Sequence, residues 1–417
     1  MSRALSVWWD GKVVGTLRID KHGDMAFQYR AEWLADSSLP SLSMSLPKKP
    51  EASRRRECRP FFGGLLPEEG QLEAVARKLG ISKTNDFKLL EALGGDVAGA
   101  LTLWPEGERP PTPNAAVHPT PLDDEHLSAL LDALPKRPLL AGEEGLRLSL
   151  AGAQSKLPVV LIEGKIALPA PGQPTTHILK PPIADFRATT ENEALMMQLA
   201  AALGLSVAEA QAHKACRKPY LLVARYDRQI EATGDVRRLH QEDFCQALGI
   251  PPEQKYQAEN GPSFKSGFEL LRRTATRPAV EVLKLLDAAI FNVIIGNADA
   301  HGKNFSLLYH GAGVTLAPLY DLVCTVAYED LTHRFAMKIA KSRTLEELDS
   351  RAWADFANSA GLAAPYVMRR VKALAQSAQA VVAEIAARLA ERGLDRGALT
   401  EFASLVATRA ARVAKTV

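Results

Sequence analysis

The chain lacks most of the features that would place it in a specialised class at once. Its four cysteines, Cys58, Cys216, Cys245 and Cys324, are scattered over 417 residues with no C-x₂-C pair. Neither a disulfide frame nor a zinc site is indicated, and reduced, mostly buried thiols are expected. Among nine histidines there is no H-E-x-x-H and no close pair on one helix face, so no structural metal is expected. No apolar run approaches the roughly 18 residues of a membrane span. The first residues carry Arg3, Asp10, Lys12, Arg18 and Asp20, which excludes an apolar signal core there. With 51 basic against 48 acidic residues the formal charge is +3, too small a surplus to demand nucleic acid or an anionic membrane as the main partner. No internal repeat is visible. What is present, 47% hydrophobic and 24% charged residues, is the composition of a globular protein. At roughly 150 residues per domain the length suits two or three folded units, expected in the cytoplasm and away from membranes.

Residues 4–9 and 12–19 read as two strands joined by Asp10-Gly11, the strongest short-range hairpin signal. A third strand is expected over 25–29, and helices over 65–79 and 84–93, so residues 1–104 form a small α+β domain. Six of the seventeen residues from Pro105 to Pro121 are proline, which forbids regular structure and marks residues 105–121 as a linker or long loop. Beyond it a short helix is expected over 123–134 and a hairpin over 158–162 and 165–168. Further strands are expected over 176–180, 207–213 and 220–226, and a helix over 191–203 stopped by Gly204. Residues 122–228 then make a mostly β lobe. Residues 229–417 make a helical lobe, with an apolar helix over 281–295, a hairpin over 305–309 and 314–316, and an alanine-rich helical end.

The most informative stretch is Gly296-Asn297-Ala298-Asp299-Ala300-His301-Gly302-Lys303-Asn304, on a loop between a buried helix and a strand. Phosphoryl transfer needs a carboxylate to take the proton of the attacking hydroxyl and an amide oxygen nearby for magnesium. Kinase catalytic loops place that Asn five positions after the Asp, the spacing of Asp299 and Asn304. An Asp and an Asn capping a turn share this spacing. Asp321, in Pro318-Leu319-Tyr320-Asp321-Leu322, follows the predicted hairpin where kinases put their main magnesium-binding Asp. Lys180 ends the strand His177-Ile178-Leu179, and Glu193 stands near the start of the next helix, the order of a phosphate-binding lysine and the glutamate that holds it. A solvated strand end and a dipole-favouring glutamate are the bland readings of the same two residues. Ser149-Leu150-Ala151-Gly152-Ala153-Gln154-Ser155-Lys156 lies where a phosphate-covering loop belongs but matches no glycine-rich consensus. Ser45-Leu46-Pro47-Lys48 has no companion motif of a serine acyl-enzyme. Arg54-Arg55-Arg56 reads as a solvated loop, with phosphate contact as the alternative.

Together with Asn192, Gln241-Glu242-Asp243-Phe244-Cys245-Gln246 and Lys255-Tyr256, these segments resemble the HipA family of bacterial toxin kinases. The hairpin-led first module resembles the N-terminal domain of full-length HipA proteins. The resemblance implies an α+β, two-lobed protein-kinase-like fold akin to phosphoinositide kinases, using ATP and Mg2+ to phosphorylate a serine or threonine of a protein. By position Asp299 would be the base, Asn304 and Asp321 the magnesium ligands, and Lys180 and Glu193 the phosphate lysine and its partner. Ala151, Gly152, Ala153, Gln154 and Lys156 would form the nucleotide loop, Val223, Arg225 and Tyr226 the adenine contacts, and His301 and Asp321 further nucleotide contacts. Ser149 would be an autophosphorylated switch. The family's best-known target is an aminoacyl-tRNA synthetase, and its partner is a HipB-like helix-turn-helix antitoxin that brings the toxin to operator DNA only indirectly. Ser155 replaces an acidic residue often found before the loop lysine, and Ala224 stands where some members have a hinge Glu. A catalytically weak subunit bound to an antitoxin on DNA, and a small-molecule (antibiotic) phosphotransferase, are the other readings.

Overall fold

The structure, a computed structural model, describes residues 3–112, 119–143, 145–311 and 313–417. The chain divides into two compact units, Met1–Pro181 with Lys214–Glu253 and Leu308–Ala312, and Pro182–His213 with Gln254–Leu307 and Gly313–Val417. The proline-rich segment is therefore not where contacts divide the chain: the N-terminal module and most of the expected β lobe form one unit. Residues 113–118 of that segment lie outside the described residues.

The first unit holds two larger sheets, besides the short ribbon of Arg228–Ile230 with Val236–Arg238. In the first, Ser53–Arg54, Met25–Tyr29, Lys12–Ile19, Arg3–Trp9 and Leu101–Pro105 run in that order, antiparallel throughout. Asp10 (φ 46°) and Gly11 (φ 74°) both take the left-handed conformation that a two-residue hairpin turn requires. Alternate side chains Leu5, Val7, Leu17 and Phe27 enter a core completed by Phe61, Phe62 and Phe87 from the helices Arg55–Gly63 and Asp86–Leu93. Among the elements that the sequence does not announce are two of this domain. The three arginines open the helix Arg55–Gly63, where the Glu57 carboxylate accepts from Arg54 N at 2.9 Å, a cap rather than a loop. Leu101–Pro105 is too short to announce itself, yet it pairs with the first strand. The second sheet places Lys165–Ala167, Leu157–Ile162, His177–Lys180 and Lys218–Ala224 side by side, each pair antiparallel.

A largely buried ion cluster joins the module to this second sheet within the unit. Asp96 accepts from Arg228 at 2.8 Å, Arg238 at 3.0 Å and Arg225 at 3.3 Å, and Arg225 also forks onto Asp227. Glu242 is likewise buried, accepting from Ser43 Oγ, Met44 N and Tyr309 Oη. Burial pushes its carboxyl up to about 7. A raised folded value means the folded state holds a proton that the unfolded chain releases, so stability from this group is lost as pH rises from about 4.3 to about 7. Glu242→Gln is expected to flatten that decline in pH-dependent thermal melts; an unchanged slope would refute it.

The second unit is built on helices Thr189–Ala202, Phe264–Thr274, Pro278–Ile295, Ser350–Ser359, Ala364–Glu391 and Arg396–Val413. Pro278–Ile295 begins with proline in its first turn, is buried on nearly every side from Val282 onward, and stops at Gly296, whose φ of 72° makes it a left-handed cap. Among the described residues no group of three or more His, Cys, Asp or Glu is placed to hold a metal, and no helix is long and apolar enough to cross a membrane. All four cysteines are free thiols, three buried and Cys216 exposed.

Candidate active site

In the second unit the cap at Gly296 delivers the chain into Asn297, Ala298 and Asp299. Asn297 is the organiser. Its amide donates to Asn292 Oδ1 at 2.9 Å and to the Asp321 carbonyl at 3.4 Å, while its Oδ1 accepts from Asp299 N at 3.1 Å. Asp299 and Asp321 are thereby brought to one side chain. His301 N donates to Asp299 O at 2.7 Å and Asn304 N to His301 O at 3.0 Å, so the five-residue spacing is a closed loop ending in the short 3-10 turn Gly302–Asn304. Tyr256 Oη donates to the Asp299 carboxylate at 2.8 Å and its ring meets His301 edge-on at 5.3 Å. Both Asn297 and Tyr256 went unassigned in the sequence, although an Asn two residues before a loop Asp is the residue type that bonds backbone in tight turns.

The segment carrying Asp321 is pinned from four sides. Leu319 pairs with Ser206 and Ala208 through backbone bonds of 2.8 and 2.9 Å. Tyr320 Oη donates to Lys303 O at 2.7 Å. Asn192 clasps Cys324 with both ends of its amide, at 2.8 and 3.1 Å. Thr325 Oγ1 accepts from Ala298 N at 2.8 Å and donates to Gly296 O at 3.1 Å. In this frame Asp321 takes φ 52°, a conformation that a non-glycine residue keeps only where its surroundings impose it. Glu193, beside Asn192, is 3% exposed and lies in the second turn of a helix that starts at Thr189, so it is not a first-turn residue favouring the dipole.

In the first unit Lys180 closes the strand His177–Lys180 opposite Leu221 and is 4% exposed, which excludes the solvated strand end. The segment 149–156 is bound to residues 65–71 of the N-terminal module at three points. Ser149 Oγ donates to Leu65 O at 2.6 Å, Glu68 N donates to Gly152 O at 3.2 Å, and Ser155 Oγ donates to Gln71 Oε1 at 3.2 Å. Lys156 folds back so that Nζ donates to Ala151 O at 2.8 Å. Gly152, at φ 116°, takes a backbone conformation that other residues rarely adopt, with that Nζ 2.3 Å from where a Cβ would stand. Gln154 reaches the Pro181 carbonyl at 3.5 Å, and Ala153 is exposed. Arg225 uses its side chain structurally. Its guanidinium belongs to the buried cluster with Asp96 and Asp227, and its backbone N–H donates to Thr176 O at 2.9 Å. Val223 is buried in its strand, and half-buried Tyr226 gives its hydroxyl to Gln241. The tight Arg225-Tyr226-Asp227-Arg228 alternation of charge was the available sign of an ion network.

The sequence matches the HipA-like C-terminal domain over residues 148–389 and the HipA N-terminal domain over residues 5–104. The chain belongs to the HipA family. It is 57% identical over 412 residues to the protein Y4mE of Sinorhizobium fredii, covering 98% of both chains. It is 30% identical over 386 residues to the serine/threonine-protein kinase toxin HipA of Shewanella oneidensis, covering 89% of this chain and 87% of that one. A solved complex of Shewanella oneidensis HipA with HipB and its operator DNA superposes with TM-score 0.84 at 27% identity, covering 98% of this chain and 97% of that chain. This HipA-family chain is a serine/threonine protein kinase of the toxin–antitoxin type, with the α+β HipA kinase fold, and a kinase family implies ATP as donor.

Proposed function

We propose that this HipA-family kinase transfers the γ-phosphoryl group of ATP to a hydroxyl of a protein, with Asp299 as the base and Asn304 and Asp321 as ligands of Mg2+. The observation that carries the reading is the shared side chain of Asn297, which bonds the backbone of both Asp299 and Asp321. An amide and a carboxylate oxygen suit Mg2+, which takes few protein ligands and fills its octahedron with water and phosphate oxygens. Bound there, Mg2+ would neutralise charge on the β- and γ-phosphates. Asp299, held through its backbone and by Tyr256, would take the acceptor hydroxyl's proton on its carboxylate. Lys180, with Glu193 supporting its role, and the loop Ala151, Gly152, Ala153, Gln154 and Lys156 are assigned to ATP, as are His301 and Tyr226. For Val223 and Arg225 it is backbone groups that are assigned to adenine. The acceptor is assigned to a translation component such as an aminoacyl-tRNA synthetase on the family resemblance. A HipB-like antitoxin is assigned as partner, with operator DNA reached through it, on the likeness to the Shewanella oneidensis complex. Purified protein incubated with γ-labelled ATP, Mg2+ and a cell extract is expected to label a protein band; no label in the extract or on the chain itself would favour a catalytically weak, antitoxin-bound subunit.

Lys180→Ala is expected to raise KM for ATP about 10- to 100-fold, the worth of one or two charge-assisted hydrogen bonds. Glu193→Ala should do the same less severely. Calorimetry giving unchanged ATP affinity for the lysine variant would remove both from the site.

Ser149 is proposed as an autophosphorylation switch. In the conformation described its hydroxyl is fully buried against Leu65 O, with no space for a phosphate. Phosphorylation therefore requires segment 149–156 to leave its three contacts on residues 65–71. Afterwards a charge of roughly −1.5 to −2 would bar its return and repel the ATP phosphates. Mass spectrometry after incubation with ATP and Mg2+ should find phospho-Ser149, and that form should bind ATP at least about 10-fold more weakly. Phosphorylated protein with undiminished affinity would refute the switch.

A further inference from the structure

Arg409, on the last helix Arg396–Val413, is 9% exposed. Among the described residues it has no ion-pair partner, and its Nε has no hydrogen-bond partner. Burial lowers its affinity for a proton, the direction expected of a cation taken out of water without a carboxylate at contact. An apolar side chain of similar volume would occupy such a place at less cost. What the guanidinium does meet is the end of the helix that carries Asp299. Its Nη2 donates to Val293 O at 2.9 Å, in the last turn of Pro278–Ile295, where the helix dipole is negative and favours a cation.

The same guanidinium lies against Gly296. A Cβ at Gly296 would stand 2.6 Å from Arg409 Nε and 2.4 Å from Val326 Cγ2, so this glycine is demanded by close approach as well as by its φ of 72°. Gly296 in turn accepts through its carbonyl from Thr325 Oγ1 and Val326 N, which link it to the segment following Asp321. One buried cation therefore abuts the single residue from which both loops of the site are hung.

We infer that Arg409 is a positioning residue for phosphoryl transfer, holding the Gly296 cap from the C-terminal helix so that Asn297 presents Asp299 and Asp321 together. The role rests on the assignment of Asp299 and Asp321 above. Arg409 touches neither, so its removal acts on alignment, and misplacement by about an ångström costs about 100-fold in rate.

The test compares wild type with Arg409→Met and Arg409→Lys in the full chain, measuring kcat and KM for ATP, thermal melting, and hydrogen exchange of peptides spanning 296–304. Arg409→Met is expected to lower kcat about 10- to 100-fold with KM within about twofold, and to speed exchange of 296–304 about 10-fold while helix 364–391 keeps its protection. Arg409→Lys keeps the charge and one donor but loses the planar fork, and should fall between the two. Unchanged kcat and exchange in either folded variant would overturn the inference, as would a lower melting temperature with kcat per folded molecule intact. If Arg409→Met does not fold, the lysine variant alone decides by the same criteria. Faster exchange of 296–304 in a chain whose wild type transfers no phosphate would sink the kinase roles of Asp299 and Asp321 and leave the positioning contact supported.

Discussion

Asp299→Ala and Asp321→Ala are each expected to lower phosphoryl transfer by three or more orders of magnitude, about 4 kcal/mol or larger, in a protein that remains folded. The reason is division of labour. The transferred group needs little covalent help, so catalysis is positioning plus compensation of charge, and these two carboxylates would supply the proton acceptor and the main metal ligand. Folding should survive because the bonds that knit the two loops run elsewhere, through Asn297, Thr325, Tyr320 and Asn192. Asp299 contributes its carboxylate to Tyr256, and Asp321 contributes its carbonyl, which alanine retains. Alanine tolerates the left-handed φ of 52° at position 321 less well than aspartate, by about 1 kcal/mol, which the surrounding bonds can absorb. Single-turnover assays with labelled ATP, alongside melting curves, check both halves. Near-wild-type turnover in either variant would end the assignment of that residue.

Asp96→Ala is expected to have the largest effect on stability, about 3–5 kcal/mol, the cost of leaving buried charge without its partner. Asp96 faces three arginines, and its removal leaves Arg225 and Arg228 with Asp227 as their remaining carboxylate in the cluster. Thr175 would lose its acceptor at 2.6 Å as well. A folded unit has about 5–15 kcal/mol in total, so soluble yield should collapse or the first melting transition fall well below wild type. A wild-type melting temperature for purified Asp96→Ala protein would refute it. The pH dependence has a definite sign. Burial would raise the carboxyls of Asp96 and Asp227, but Arg228 and Arg225 beside them more than offset it. Asp96 is held well below the ordinary range and Asp227 near about 2. Depressed folded values stabilise fully above the unfolded value of about 3.9, and that contribution is lost as pH falls through the acid range. Acid unfolding of the wild type should therefore be steeper than that of Asp96→Asn.

Local signals in the sequence were enough for the parts of this protein that are locally encoded. Asp10-Gly11 fixes its hairpin because only residues tolerant of positive φ make that turn, and the apolar run ending at Gly296 fixes both a buried helix and its stop. The order of Lys180, Glu193, Asp299, Asn304 and Asp321 carried the family, since a functional loop is spelled by spacing. Tertiary structure decided what depends on partners distant along the chain. The guanidinium of Arg225 gains its structural role only when Asp96, well over a hundred residues earlier, arrives at its side. Residues 65–71 cover the Ser149 hydroxyl, and the burial of Lys180 and Glu193 removes the surface-charge alternative that the sequence leaves open for each. Arg409 gave no signal at all, because a lone arginine in an alanine-rich helix has meaning only through the carbonyl it meets. Periodicity and turn chemistry act over a few residues, whereas burial and charge pairing are set by whatever the completed fold brings within a few ångströms.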